Sequence, residues 1–119
     1  MKKIYLCHDF GAVYANVKDI SAHIKTLFSL NDKVAYISPT LTFGLLYDKV
    51  ESECYYNYCI SLLKDCDMMM TFDGEDTFDE CIIEKEYCKS HKIPIVKYSE
   101  YCKRYHGDDK NAVSKWKMA

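Results

Sequence analysis

Hydrophobic and polar positions alternate along the chain in blocks that predict strands and helices in turn. Short apolar runs rich in β-forming residues are bounded by charge, glycine or proline, and longer segments carry apolar side chains at helical spacing. The pattern predicts strands at residues 2–7, 33–38, 67–72 and 93–98. It predicts helices at residues 14–30, at 50–64, from the acidic turn after Phe72 to about His91, and around 101–105. Residues 39–49 are predicted to form a loop.

Strands that alternate with helices of this length predict a parallel sheet with helices on both faces. We therefore predict an α/β protein with a single-domain, Rossmann-like (flavodoxin-like) three-layer fold and a four- to five-stranded, mainly parallel sheet. The 119 residues, 49% hydrophobic and 29% charged, suit one compact domain spanning residues 1–119. In such a sheet the loops that follow the strands gather at one edge, where open α/β folds bind ligands.

Charge and the first residues exclude two classes of partner. The formal net charge is −2 and the lysines are scattered, so we expect no nucleic-acid polymer as a partner. The opening MKKIYLCHDF has only a short apolar run before charge returns, so it predicts neither a signal peptide nor a membrane span. These features predict a cytoplasmic protein without a membrane partner.

Seven cysteines raise the question of a metal site or a disulfide framework. The sequence contains no CxxC pair, so we predict no metal. The odd number and the missing secretory signal favour a reducing compartment. Cys59 with Cys66, and Cys81 with Cys88, are spaced so that each pair returns to one helical face. Buried thiols that act as small apolar residues are the expected outcome.

The loops after the strands carry polar residues that a parallel sheet would bring together. The predicted neighbours are the start of the helix that carries Glu84 and the loop residues His8, Asp9, Thr40, Asp73 and Asp76. Adjacent residues on an extended segment point in opposite directions, so His8 and Asp9 are not expected to serve one metal centre. Asn16, near a helix start, either caps backbone amides or contacts a ligand.

Four segments of the chain resemble one known family. They are KIYLC with the following Gly11 and Asn16, YISPTLTF, LLKDCDMMMTF, and ECIIEKEYCKSHKIPIV. In order, they look like a first strand with its ligand loop, a second strand with its proline loop, a third strand, and a signature helix. The family is that of the nucleoside 2-deoxyribosyltransferase-like proteins, including small uncharacterised bacterial and phage relatives, and the resemblance covers roughly residues 2–98.

This resemblance implies roles for particular residues. Glu84 matches the nucleophilic glutamate of the signature helix, followed by Tyr87 as the aromatic and Cys88 as the small residue. Tyr5 matches the first-strand tyrosine that hydrogen-bonds the nucleophile in catalytic members. Those members complete their sites with a neighbouring subunit, so the resemblance implies a homo-oligomer, a dimer or higher. It implies a small-molecule nucleoside or nucleotide as the ligand and no cofactor.

The chemistry of such a glutamate follows from the reaction itself. Breaking an N-glycosidic bond develops oxocarbenium character at the anomeric carbon, which a carboxylate on the opposite face can stabilise or trap. The leaving base needs a proton, for which Asp73, Asp76 and Asp79 are candidates. A helix N-terminus beside Glu84 would favour its ionised form.

Three positions depart from the family pattern and keep alternatives open. Glu80 replaces a small residue, Phe10 an arginine, and Cys59 an aspartate. We predict cleavage or transfer at an N-glycosidic bond. The alternatives are a module that binds a nucleotide-like ligand without turnover, and an interaction protein with a vestigial pocket. Glu84 could also be a solvated helix carboxylate, and Tyr5 a core residue.

Overall fold

A computed structural model describes residues 1–8, 13–43, 49–72 and 79–106, with only the backbone described for residues 13–16, 79–80 and 105–106. The strands in this part of the chain are β1 (Lys2–Cys7), β2 (Val34–Ile37), β3 (Met68–Thr71) and β4 (Ile95–Lys97). The helices are α1 (Val13–Leu30), α2 (Pro39–Phe43), α3 (Ser52–Leu63), α4 (Asp79–Ser90) and α5 (Tyr98–His106).

The strands form one parallel sheet in the order β2-β1-β3-β4. β1 is therefore central, and its last four residues are buried. In register, Tyr5 lies beside Ile37 of β2 and Met69 of β3. The sheet and its flanking helices confirm the predicted Rossmann-like α/β class.

Alternation along β1 divides the core into two layers. Ile4 and Leu6 pack on one face of the sheet with residues of α1 and α5. Tyr5 and Cys7 pack on the other face with residues of α3 and α4. Successive side chains of a strand point to opposite faces, so this assignment follows directly from the sequence of β1.

The prediction of a loop over residues 39–49 is wrong at its start, where α2 occupies Pro39–Phe43. The backbone N–H of Leu41 donates to Ser38 Oγ at 3.2 Å, so Ser38 caps this helix. Pro39 follows in the first helical position, where its missing N–H costs nothing. β2, β3 and β4 are each shorter than predicted, and α5 begins at Tyr98, directly after β4.

Cysteines supply much of the layer between the sheet and α3 and α4. All seven thiols are free, and five are buried: Cys7, Cys59, Cys66, Cys81 and Cys88. These five belong to the same core cluster, and the Cys88 thiol contacts Met69 Sδ at 3.8 Å. For these five, the prediction of buried thiols is confirmed.

Within the described ranges, none of the helices has the length and apolar character needed to cross a membrane.

Candidate functional site

A buried carboxylate lies against the central strand. Glu84, in the second turn of α4, is 3% exposed, and Tyr5 on β1 is fully buried. The Tyr5 hydroxyl donates a hydrogen bond to Glu84 Oε2. The structure thus excludes the interpretation of Glu84 as a solvated helix carboxylate.

The spacing of side chains along β1 and α4 places Cys7 and Cys81 near the Glu84 carboxylate. Tyr5 and Cys7 are two residues apart on β1 and share its α4-facing side. Cys81 and Glu84 are three residues apart on α4, so they lie on one side of the helix. α4 packs against β1, which sets the two pairs face to face.

Cys7 links the members of this group. It belongs to the same buried cluster as Tyr5 and Cys81, and its thiol is near enough to Cys81 and Glu84 for both to raise its pKa. Cys7 is fully buried and Cys81 is 1% exposed. The Glu84 carboxylate therefore lies in a buried environment near two thiols, and the Tyr5 hydroxyl donates to it.

Their surroundings keep the Tyr5 hydroxyl and the Cys7 thiol protonated. Burial raises the pKa of the Tyr5 hydroxyl well above its ordinary value of 10.0, and the negative charge of Glu84 raises it further. The hydrogen bond with Cys81 raises the pKa of the Cys7 thiol well above 9.0, with burial and the charge of Glu84 acting in the same direction. At neutral pH the Tyr5 hydroxyl and the Cys7 thiol thus both stay protonated, and the Tyr5 hydroxyl donates to Glu84.

The helix N-terminus contributes less to this site than the sequence suggested. α4 begins at Asp79, so Glu84 lies in the second turn. The free amides of a helix belong to its first turn, and their effect fades beyond it. Glu84 instead accepts a hydrogen bond from the Tyr5 hydroxyl of β1.

His8 lies on the other side of the sheet. It is 2% exposed, and its ring centroid is 5.2 Å from that of Phe72 and 5.9 Å from that of His23. His23 belongs to α1, so the His8 ring packs on the face opposite Tyr5. The structure does not place the His8 ring beside Glu84, and its predicted role in substrate binding stays a prediction.

Thr40 follows β2 in the first turn of α2 and is 2% exposed. Its Oγ1 is buried and has no hydrogen-bond partner in the described part of the chain. Such a group is uncommon in a folded protein and is compatible with the predicted contact to a ligand.

Several predicted site residues lie outside the described residues. These are Asp9, Gly11, Asp73 and Asp76, together with the side chains of Asn16 and Asp79. Tyr87 is half-buried and stacks on His91, with 3.9 Å between ring centroids. Among the residues that are described, no group of three or more His, Cys, Asp or Glu side chains is arranged to hold a metal ion.

Cys7 and Cys81 lie near the site although neither was predicted to belong to it. Two signals could have found them: Cys7 is two positions after Tyr5, and Cys81 is three positions before Glu84. Both spacings place residues on one face of their element. The contact between the two cysteines depends on how α4 crosses β1, which no local pattern reports.

Comparisons with known proteins inform the fold alone. No protein-family model matches the chain, and no curated protein matches it. The structure is similar to the crystal structure of a conserved protein from Enterococcus faecalis V583, with a TM-score of 0.68 and 13% sequence identity. The similarity covers 99% of this chain and 87% of that chain.

Proposed function

We propose that the protein cleaves or transfers the N-glycosidic bond of a nucleoside or nucleotide, with Glu84 as the nucleophile and Tyr5 as its orienting partner. The hydrogen bond from Tyr5 to the buried Glu84 is the observation that carries this proposal. The resemblance of the signature helix and of the first strand, described above, supplies the reaction class.

Burial of Glu84 requires a reason. A carboxylate taken out of water costs several kcal/mol unless donors compensate for the lost solvation. A chain that needed only packing at this position would be served by leucine or methionine. Glu84 is instead kept beside a tyrosine and a cysteine on the central strand, a group whose perturbed pKa values are typical of functional sites.

The reaction has two steps in this proposal. A Glu84 oxygen bonds to the anomeric carbon while the bond from that carbon to the base nitrogen breaks. The electron pair stays on the base, which takes a proton from an acid in the loop after β3 or at the start of α4. Water or a second base then attacks the anomeric carbon, Glu84 leaves as a carboxylate, and the proton of the attacking group returns to that acid.

Base release tests the proposal. The purified protein is incubated with a panel of nucleosides and 5′-monophosphates, and free base is separated by chromatography. We expect Glu84→Gln to lower the rate by more than about 10³-fold, because the nucleophile is lost. Tyr5→Phe should lower it by about 10- to 100-fold, because a hydrogen bond to a charged group is lost.

Glu86 supplies the matched control. It is an exposed glutamate on the same helix, so Glu86→Gln changes the same chemical group without touching the site. We expect this variant to retain the full rate. A folded wild-type protein that releases no base from any member of the panel would contradict the proposal. Ligand-dependent melting without product would then favour the binding module.

A further inference from the structure

We propose that the protein binds a small aromatic carboxylate in a cavity at the amino-terminal edge of the sheet. The cavity lies on the face of the sheet opposite Tyr5 and Glu84, so it is separate from the proposed catalytic site. Its ligand is a single aromatic ring that carries one carboxylate group.

The parallel strands bring the walls of this cavity together. Lys2 and Ile4 are two positions apart, so they share one face of β1. In register, Lys2 lies beside Val34 of β2, and Ile4 lies beside Met68 of β3. On the other side, α5 contributes two residues that are three positions apart and share one side of the helix, Tyr101 and Arg104. The apolar part of the described lining is Ile4, Val34, Met68, Pro94 and Val96.

The size of the cavity selects one ring. Its volume is about 200 Å³. A cavity of about 150 Å³ lined by apolar side chains binds benzene, so the present cavity holds a ring with a small substituent. Pockets for drug-sized ligands begin at about 300 Å³, which excludes a ligand as large as a nucleotide.

Charge at the opening selects a carboxylate. Lys2 and Arg104 line the cavity and are exposed, so their positive charges lie where the cavity meets water. Asp67 is the acidic residue in the described lining, and its Oδ2 already accepts the backbone N–H of Lys3 at 2.8 Å. A ligand whose ring packs on the apolar wall can therefore place an anionic group against Lys2 and Arg104. The planar guanidinium of arginine matches a carboxylate in shape as well as in charge.

Hydrogen bonds hold the buried polar part of the lining in place. Asn31 is fully buried and Tyr101 is 4% exposed. The Asn31 amide donates to the Tyr101 hydroxyl at 3.4 Å, and that hydroxyl lies 3.1 Å from the hydroxyl of Tyr36. The backbone N–H of Lys33 donates to Asn31 Oδ1 at 2.9 Å. These bonds fix the Tyr101 ring, so the cavity is preformed and a ligand does not have to order it.

Methyl NMR with benzoate as the probe tests the site. The protein is labelled at the methionine methyl carbons, and two signals are assigned by their loss in Met68→Leu and Met69→Leu. Met68 lines the cavity, whereas Met69 packs on the other face of the sheet with Tyr5. We expect benzoate to shift the Met68 methyl signal and to leave the Met69 signal in place, with a Kd on the order of 1 mM.

A neutral analogue and a charge variant test the recognition of the carboxylate. Benzamide has the shape of benzoate without its charge, and we expect it to bind about tenfold more weakly. Arg104→Gln should weaken the binding of benzoate by a similar factor. Lys103 is exposed on the same helix and does not line the cavity, so Lys103→Gln is the matched control. It changes the net charge by the same amount and should bind benzoate as the wild type does.

Three results would overturn the inference. The first is a Met68 signal that does not move at any benzoate concentration up to the solubility limit. The second is a shift of the Met69 signal without one of the Met68 signal, which places benzoate on the Glu84 side of the sheet. The third is equal affinity of the wild type and Arg104→Gln for benzoate. None of these measurements uses base release, so a failure of the proposed function and a failure of this site are told apart.

Discussion

At the scale of single residues, Thr40 has a buried polar group that lowers the stability of the fold. Its hydroxyl oxygen is buried without a hydrogen-bond partner in the described part of the structure. A buried hydroxyl in this state costs roughly 1–3 kcal/mol relative to one that is paired. The neighbouring Thr42, by contrast, donates its hydroxyl to the Ser38 carbonyl at 2.7 Å.

Replacing Thr40 with valine should therefore stabilise the ligand-free protein. Valine has the same shape without the hydroxyl, so we expect Thr40→Val to raise the free energy of unfolding by about 1 kcal/mol. Urea denaturation measures the change. Thr42→Val is the control and should lower stability, by a few tenths to about 1 kcal/mol, because it removes a formed bond. A Thr40→Val protein less stable than the wild type would contradict this account.

At the scale of elements, α2 is a helix that the local sequence pattern does not identify. The sequence predicts PTLTF as the start of a loop because Pro39 ends the preceding strand and the segment after it is of mixed character. Ser38 before Pro39 is also a signal for a helix start, since serine caps and proline fits the first turn. Both interpretations are compatible with the local sequence, and the packing of α2 against α1, α3 and β1 selects the helix.

If Ser38 caps α2, its removal should destabilise the protein. We expect Ser38→Ala to lower the free energy of unfolding by about 1 kcal/mol, the typical cost of losing an N-cap. Differential scanning calorimetry or urea denaturation measures it. Ser61, an exposed serine inside α3 that bonds the Tyr58 carbonyl, gives the matched control. Ser61→Ala should be neutral or slightly stabilising, because alanine is the better helix former. Equal losses in the two variants would argue against the cap.

At the scale of the whole molecule, a cluster of rings joins elements that are distant in sequence. His23 of α1 lies with its ring centroid 4.9 Å from that of Phe72, after β3, and 4.6 Å from that of Tyr98, at the start of α5. His8, after β1, completes the group. Burial lowers the pKa of His23 below its ordinary value of 6.5, and His8 lowers it further, while Asp19 opposes them.

This shift predicts that the protein loses stability on mild acidification. Below about pH 6.5 the unfolded chain takes up a proton at His23 that the folded chain resists, so the unfolded state binds more protons. The free energy of unfolding should then fall as the pH is lowered from about 7.5 to about 5.5. Urea midpoints across this range measure it.

Two variants isolate the cause. His23→Phe keeps an aromatic ring in the cluster and removes the titrating group, so its stability should depend less on pH. His91 is exposed, and His91→Gln should follow the wild-type profile. A His23→Phe profile parallel to that of the wild type would assign the acid sensitivity to other groups.

The fold was predictable from the sequence because its signals are local. The apolar run of β1 and the helical stripe of α1 each identify their own element, and their alternation implies a parallel sheet. The order β2-β1-β3-β4 is not local, because it depends on which strands meet after each crossover. The same limit applies to the site. The resemblance pointed to Tyr5 and Glu84, but the thiols beside them come together only through the crossing of α4 over β1.

The distance along the chain between Tyr5 and Glu84 has a consequence for the order of folding. Their hydrogen bond joins residues separated by 79 positions. During synthesis β1, α1 and β2 emerge early and can pack through contacts between residues near in sequence. The Tyr5 hydroxyl can bond Glu84 only after α4 has formed. Closing so large a loop is entropically costly, so we expect it to follow the addition of β3 to the sheet. We therefore expect the buried carboxylate to take its place after β1, α1 and β2 have paired, which hydrogen-exchange labelling during refolding would measure.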